Sequence, residues 1–232
     1  ISCRPASMDQ GILIVDETRN NTANTVFAPN DLTCDAFYSR VMGDFDADQY
    51  DVDTEATLKL ADIGIYSSIL WHGNDYGNIT YPFLVREEIR KYIQAGGKVL
   101  LSSYLPTQAF DNNNVYPCTF GNDNYLFDNL GIWSTDYNNQ ARFKYALPQT
   151  SGFPPLTVDT LKTFSALHGH IFTIESIGAS ATAQNIYFYG SDYANTVSQG
   201  SMNDLPIGVY TQFDNGAKVI VLSFPLFNMY ED

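Results

Sequence analysis

Basic residues are scarce in this chain. Twelve Lys and Arg stand against 26 Asp and Glu, a net charge of −14. Such a surface repels a phosphate backbone, which argues against nucleic acid and anionic membranes as partners. Cysteine is scarce too. Cys3, Cys34 and Cys118 make an odd count with no C-x-x-C spacing, so neither a zinc ribbon nor a thioredoxin-like motif can be built. One disulfide with a free thiol and three buried thiols both remain open. No apolar run approaches the roughly eighteen residues of a membrane span, and no signal-peptide pattern opens the chain. It begins at Ile1 and reads as a mature or excised piece of a longer protein.

What is present is core. At 232 residues, 44% hydrophobic and 14% aromatic, the chain can bury one large core, which predicts a tail over 1–10 and a single domain over 11–232. Only 16% of residues are charged while Asn, Ser, Thr and 16 Tyr abound. That neutral-polar surface suits an extracellular or cell-surface protein. Asn20-Asn21-Thr22 and Asn78-Ile79-Thr80 fit the glycosylation sequon.

The hydrophobic pattern alternates between the two periods. Gly11 to Val15 is a continuous apolar run delivering Asp16 and Glu17 to its carboxyl end, as in a buried parallel strand. Asp31 or Thr33 can cap a helix to about Val41 with Phe37, Tyr38 and Val41 inward, and Gly43 as its stop. A short strand is expected at Tyr50 to Val52, a helical turn at Thr57 to Ala61 and a strand at Ile65 to Trp71 that ends in His72 and Asp75. A helix over Phe83 to Gln94 should turn Leu84, Ile89, Tyr92 and Ile93 inward, with Gly96-Gly97 ending it and Lys98 to Ser102 following as a strand. This order gives an α/β fold with a parallel sheet covered on both faces. Asn124 to Leu130 reads as a helix stopped by Gly131, and 132–164, broken by Pro148 and Pro154-Pro155, reads as loops. Strand runs at Ile171 to Ile174, Ile186 to Tyr189, Ile207 to Tyr210 and Lys218 to Ser223, the last two joined through Asp214-Asn215-Gly216, extend the sheet with antiparallel strands.

Three features invite ligand readings. Asp44, Asp46, Asp48 and Glu55 fall at the first, third, fifth and twelfth positions of a calcium loop, but Gln49 stands where the sharp turn needs Gly, so a solvated acidic run beside a strand is the plainer reading. His168 and His170 could chelate a metal with His72, although two histidines around a Gly more often mark a turn. Tyr187, Phe188, Tyr189, Tyr193, Tyr210 and Phe213 could line a carbohydrate face, or simply pack.

The stretch GILIVD ending at Asp16, YSSILWHG from Tyr66, AGGKVLLSS from Ala95, IYFYGS from Ile186 and KVIVLSFPLF from Lys218 resemble the class I glutamine amidotransferase-like superfamily, and more closely the amidotransferase-like domains of large secreted bacterial multidomain proteins. The resemblance implies a flavodoxin-like three-layer sandwich. It also implies a nucleophile turn of the form G-x-C-x-G-x-Q after the strand at Lys98; here Gln108 keeps the Gln, Tyr104 replaces the Cys and Pro106 replaces the following Gly. The family's F-H-P-E segment falls on Ser223-Phe224-Pro225-Leu226, which has no titratable group. The expectation is therefore a non-catalytic structural or interaction module, without cofactor, whose partners are other domains of a parent protein or cell-surface components. Its ligand edge would be formed by Asp16, Glu17, His72, Asp75, Ser102, Ser103 and Tyr104. A secreted hydrolase using Asp16, His72 and Ser103 or Tyr104 is the first alternative. A carbohydrate- or calcium-dependent adhesion domain is the second.

Overall fold

In the computed structural model, residues 6–20, 29–55, 57–76, 80–111, 115–163 and 169–231 are described. Cys3, Asn21, Thr22, Asn78, Ile79 and His168 lie outside them, and with them both sequons, any pairing of Cys3 and one of the paired histidines.

The chain runs β1 (Gln10–Asp16), α1 (Asp31–Val41), β2 (Ala47–Asp51), α2 (Leu60–Ile63), β3 (Tyr66–Gly73), α3 (Tyr81–Gln94), β4 (Lys98–Ser103) and α4 (Pro106–Phe110). Then follow β5 (Cys118–Thr119), α5 (Tyr125–Leu130), β6 (Ile132–Asn138), β7 (Tyr145–Pro148), β8 (Leu156–Thr157), β9 (Ile174–Ala179), β10 (Ala183–Gly190), β11 (Pro206–Gln212), β12 (Lys218–Leu222) and a 3-10 turn at Leu226–Asn228. Among the described residues, nine strands form one sheet in the order β2-β1-β3-β4-β12-β11-β10-β7-β8, and β5-β6-β9 form a second. The first five are parallel neighbours in the doubly wound order of flavodoxin-like folds, with β12 in the fifth place. From β12 onward the pairing is antiparallel. The expected α/β sheet with an antiparallel extension is the observed architecture.

The pleat decides what covers what. Leu13, Val15, Ile69, Trp71, Val99, Leu101, Val219 and Val221 alternate onto one face and pack with Val85, Ile89, Tyr92 and Ile93 of α3. Ile14 and Leu70 point the other way, onto Cys34, Phe37 and Tyr38 of α1 and Phe227. Farther along that second face, Ile12, Leu100, Tyr210 and Ile220 line an apolar groove of about 290 Å³ rimmed by Lys98 and Lys218. The second sheet packs against β11, joining Ile132 and Ile177 to the first core.

Several local expectations shift. The helix α3 starts at Tyr81, ahead of Phe83, and its inward stripe is Val85, Ile89, Tyr92 and Ile93 at i, i+4, i+7 and i+8, which leaves Leu84 off the stripe and 70% exposed. Val41 is exposed as well, because α1 ends there and turns it off the sheet. The region 132–164 holds three strands instead of loops, and the strand expected at Ile171 to Ile174 lies at Ile174–Ala179, with Ile171 making an isolated bridge to Phe143. Cys34 and Cys118 are free thiols.

Candidate functional site at the carboxyl edge of the parallel strands

Register places the strand ends in a row. Asp16 stands opposite Asp51 of β2 and His72 of β3, His72 opposite Ser102 of β4, and Gly73 opposite Ser103. Alternation then divides the expected edge residues between the two faces. Asp16, His72 and Ser102 point toward α1, where the His72 ring stacks on Tyr38 at 3.7 Å. Glu17 and Ser103 point toward α3, crowding Gly73: a Cβ there would lie 3.3 Å from Ser103 Cβ and 3.4 Å from Glu17 Oε2. The sequence brings these residues to one edge, and the pleat separates His72 from Ser103.

On the α1 side the groups are buried and interlocked. Asp16, 5% exposed, accepts a hydrogen bond from Thr18 N at 2.7 Å, and its Oδ1 lies 3.4 Å from His72 Nδ1. The Asn74 amide nitrogen lies 3.0 Å from the same His72 Nδ1 and donates to Thr18 Oγ1 at 2.9 Å. His72, 1% exposed, is held down to about 3 by burial, so the ring is neutral at pH 7. Burial pushes Asp16 well above the carboxylate range, and a hydrogen bond with Asp35 adds to the rise. Asp31 is pushed up to about 6, by burial first and then by Asp35, Asp51, Asp53 and Asp75. Asp16, Asp31 and Asp35 each offer an oxygen, all within 4.8 Å of one another. The buried Cys34 thiol is pushed up by burial and by these acids.

On the α3 side Glu17 accepts from Trp71 Nε1 at 2.9 Å and Tyr81 N at 3.3 Å, and burial raises it to about 8. Ser103 Oγ is buried without a hydrogen-bond partner. Ser102 Oγ is spent on the backbone, donating to Phe224 O at 3.0 Å and accepting from Leu226 N at 2.8 Å. Asp75, fully buried, accepts from Arg19 N and Arg19 Nε at 3.0 Å each and ties the loop after β1 to the loop after β3.

The strand-to-helix turn after β4 differs by one residue from its expected alignment. Its left-handed residue is Leu105, at φ 45° and ψ 54°, and it is 3% exposed. Tyr104 precedes it, its ring edge-on to Tyr76 at 6.1 Å. A nucleophile in such a turn occupies the strained position and projects from the strand ends. Here that position is aliphatic.

Residues 47–51 form strand β2, so the side chains of the acidic run alternate between faces and cannot wrap an ion as a calcium loop does; Asp48 accepts from Tyr66 OH at 2.7 Å instead. Asp44, Asp46 and Glu55 join no metal-capable group among the described residues. His170, 7% exposed, lies 3.9 Å from Asp192 and edge-on to Tyr193. Of the aromatic residues in the antiparallel half, Tyr187 and Tyr189 are buried and Tyr193 is exposed. Asp31 and Asp35, absent from the expected edge, had a readable signal. Four apart on a helix, they share one face, and a helix that follows a parallel strand starts at that strand's carboxyl end.

No family model and no curated protein matches the chain. Fifteen solved chains align with it, among them the following two. One is a Thermoplasma acidophilum protein provisionally described as belonging to GMP synthase, 10% identical over 92% of this chain and 82% of that one, with a TM-score of 0.48. The other is a Bacteroides uniformis protein provisionally described as ThuA-like, 10% identical over 100% of this chain and 85% of that one, with a TM-score of 0.47. The fold stands on the strand order and register above, and these likenesses assign no role to any residue.

Proposed function

We propose that the chain is a non-catalytic structural or interaction module of a secreted or cell-surface protein, an amidotransferase-like scaffold whose nucleophile turn has been closed. The observation that carries this reading is Leu105, a buried aliphatic side chain at the strained position of the turn. The rest of the edge agrees with it. Ser103 points to the face opposite His72, Ser102 is bonded to the backbone, and the His72 ring is sealed beneath Tyr38. General-base catalysis needs a base within hydrogen-bond reach of the group it deprotonates, and neither hydroxyl offers that reach. The low fraction of charged residues and the polar, uncharged remainder support an extracellular setting.

The test is turnover. The purified chain is incubated with glutamine and with nitrophenyl esters, beside His72→Ala and Ser103→Ala. Hydrolysis at the buffer rate in all three supports the reading. Hydrolysis by the wild type that either substitution abolishes would overturn it.

A further inference from the structure

We propose that Asp16, Asp31 and Asp35 form a binding site for a divalent cation of the hard, oxygen-liganded class, at the point where the chain departs from β1 in one direction and enters β3 in the other. The proposal goes beyond the non-catalytic reading and does not depend on it.

The place is the one where doubly wound sheets open a crevice. Strand β1 sends its connection over one face through α1 to β2, β3 lies on its other side with helices on the opposite face, and ligands bind at the carboxyl ends where the two directions part. Asp16 ends β1, while Asp31 and Asp35 occupy the first turns of α1 above it.

The three carboxylates lack a full set of partners. Asp16 and Asp35 hydrogen-bond to each other. Asp31 is outside that bond. That residue is 6% exposed, its Oδ1 has no hydrogen-bond partner, and it belongs to a carboxylate that faces both of the others. At the same edge Asn74, 1% exposed, also leaves its Oδ1 unpartnered. Buried polar atoms without partners are rare, and each asks what it binds. A cation among the three acids ligates all three carboxylates at once.

The donor set selects the ion. All three ligand groups are carboxylates, the Cys34 thiol beside them is kept protonated by burial, and His72 Nδ1 faces the Asn74 amide. Oxygen donors favour calcium, magnesium or manganese over zinc or copper. Oxygen atoms within 4.8 Å of one another can share one ion of that class, and calcium, the most tolerant of coordination geometry, is its probe. Asp51, Asp53 and Asp75 add negative potential at Asp31, and the nearby Arg19 is held by Asp75.

The experiment uses the full chain stripped with a chelator, then titrated with calcium and, separately, with terbium, whose emission Tyr38 would sensitise from beside Asp16. Calcium at tenfold above its Kd should raise the thermal midpoint by about 3–6 °C. Terbium emission should appear and be displaced by calcium. Asp35→Asn and Asp31→Asn should each weaken binding at least tenfold, and Asp31→Asn should in chelator melt no lower than wild type, because a carboxylate facing two others has been removed. Should Asp31→Asn fail to fold, the half-buried Asp35 carries the comparison alone. Absence of both a midpoint shift and terbium emission up to about 5 mM cation, above the usual range of extracellular calcium sites, would overturn the proposal. So would binding undiminished by Asp35→Asn, since the ion would then sit elsewhere.

Discussion

A single buried acid shows how residue chemistry tunes this fold. Glu175, fully buried in β9, accepts hydrogen bonds from Thr107 N at 2.7 Å, Thr107 Oγ1 at 2.5 Å and Tyr116 OH, and so joins the second sheet to the start of α4. Burial raises it from 4.5 to about 7 in spite of those bonds. The native state therefore keeps a proton that the unfolded chain releases above about 4.5. This stabilisation is complete below that pH and is lost as pH climbs to about 7, at up to about 1.4 kcal/mol per pH unit. Glu175→Gln imitates the protonated form at every pH. Urea midpoints at pH 5 and pH 7 should differ less in the variant than in wild type, and the variant should be the more stable protein at pH 7. An unchanged pH slope in Glu175→Gln would show that Glu175 does not hold its proton in the folded state.

At the scale of elements, the ends of α5 are set by local chemistry. Asn124 Oδ1 accepts from Leu126 N at 2.9 Å and caps the start, and Gly131 at φ 71° ends the helix. The glycine has a second duty, because a Cβ would lie 2.1 Å from Thr211 Oγ1 and 2.9 Å from Ala183 Cβ. Gly152, at φ 106°, has nothing within 4 Å of a Cβ and isolates the backbone cost. Gly131→Ala should lose about 2–4 kcal/mol and Gly152→Ala about 1–2 kcal/mol, as read from denaturant midpoints. Equal losses would mean that Thr211 yields and close approach contributes nothing. Elements marked by a cap, a glycine or an unbroken apolar run were legible in the sequence: β1, β4, α5 and the β11–β12 hairpin all lie where their patterns place them. Those that hide their pattern were not. The strand β9 buries Glu175 and Ser176 where apolar residues are expected, and β6 exposes Trp133 at 51% on a small sheet, so neither shows clean alternation. At the site, the row Asp16, His72 and Ser102 was legible from strand ends alone. The division of Ser103 from His72 needed the register, and Asp31 could be placed only once α1 was seen to start above β1.

At the scale of the molecule, β12 joins two halves that differ in kind. It pairs in parallel with β4 and antiparallel with β11, so the doubly wound half and the antiparallel half share a central strand. Val219 and Val221 of β12 and Val209 of β11 lie in the same core as Leu13, Trp71 and Val99, whereas Leu222 belongs to the core of Phe143, Tyr189 and Phe224. Neither half can open without exposing the strand that fills the other. Unfolding should therefore be one transition. Trp71, 1% exposed in β3, reports the parallel half by fluorescence, with Trp133 already half in solvent, and far-ultraviolet circular dichroism reports both halves together. Coincident urea curves from the two probes are the expected result. Val221→Ala, which opens a cavity in the shared strand, should move both curves together by about 1–3 kcal/mol. If the dichroism curve instead showed an early step that left Trp71 fluorescence unchanged, the antiparallel half would be opening by itself, and β12 would be an edge between two cooperative units instead of their common centre.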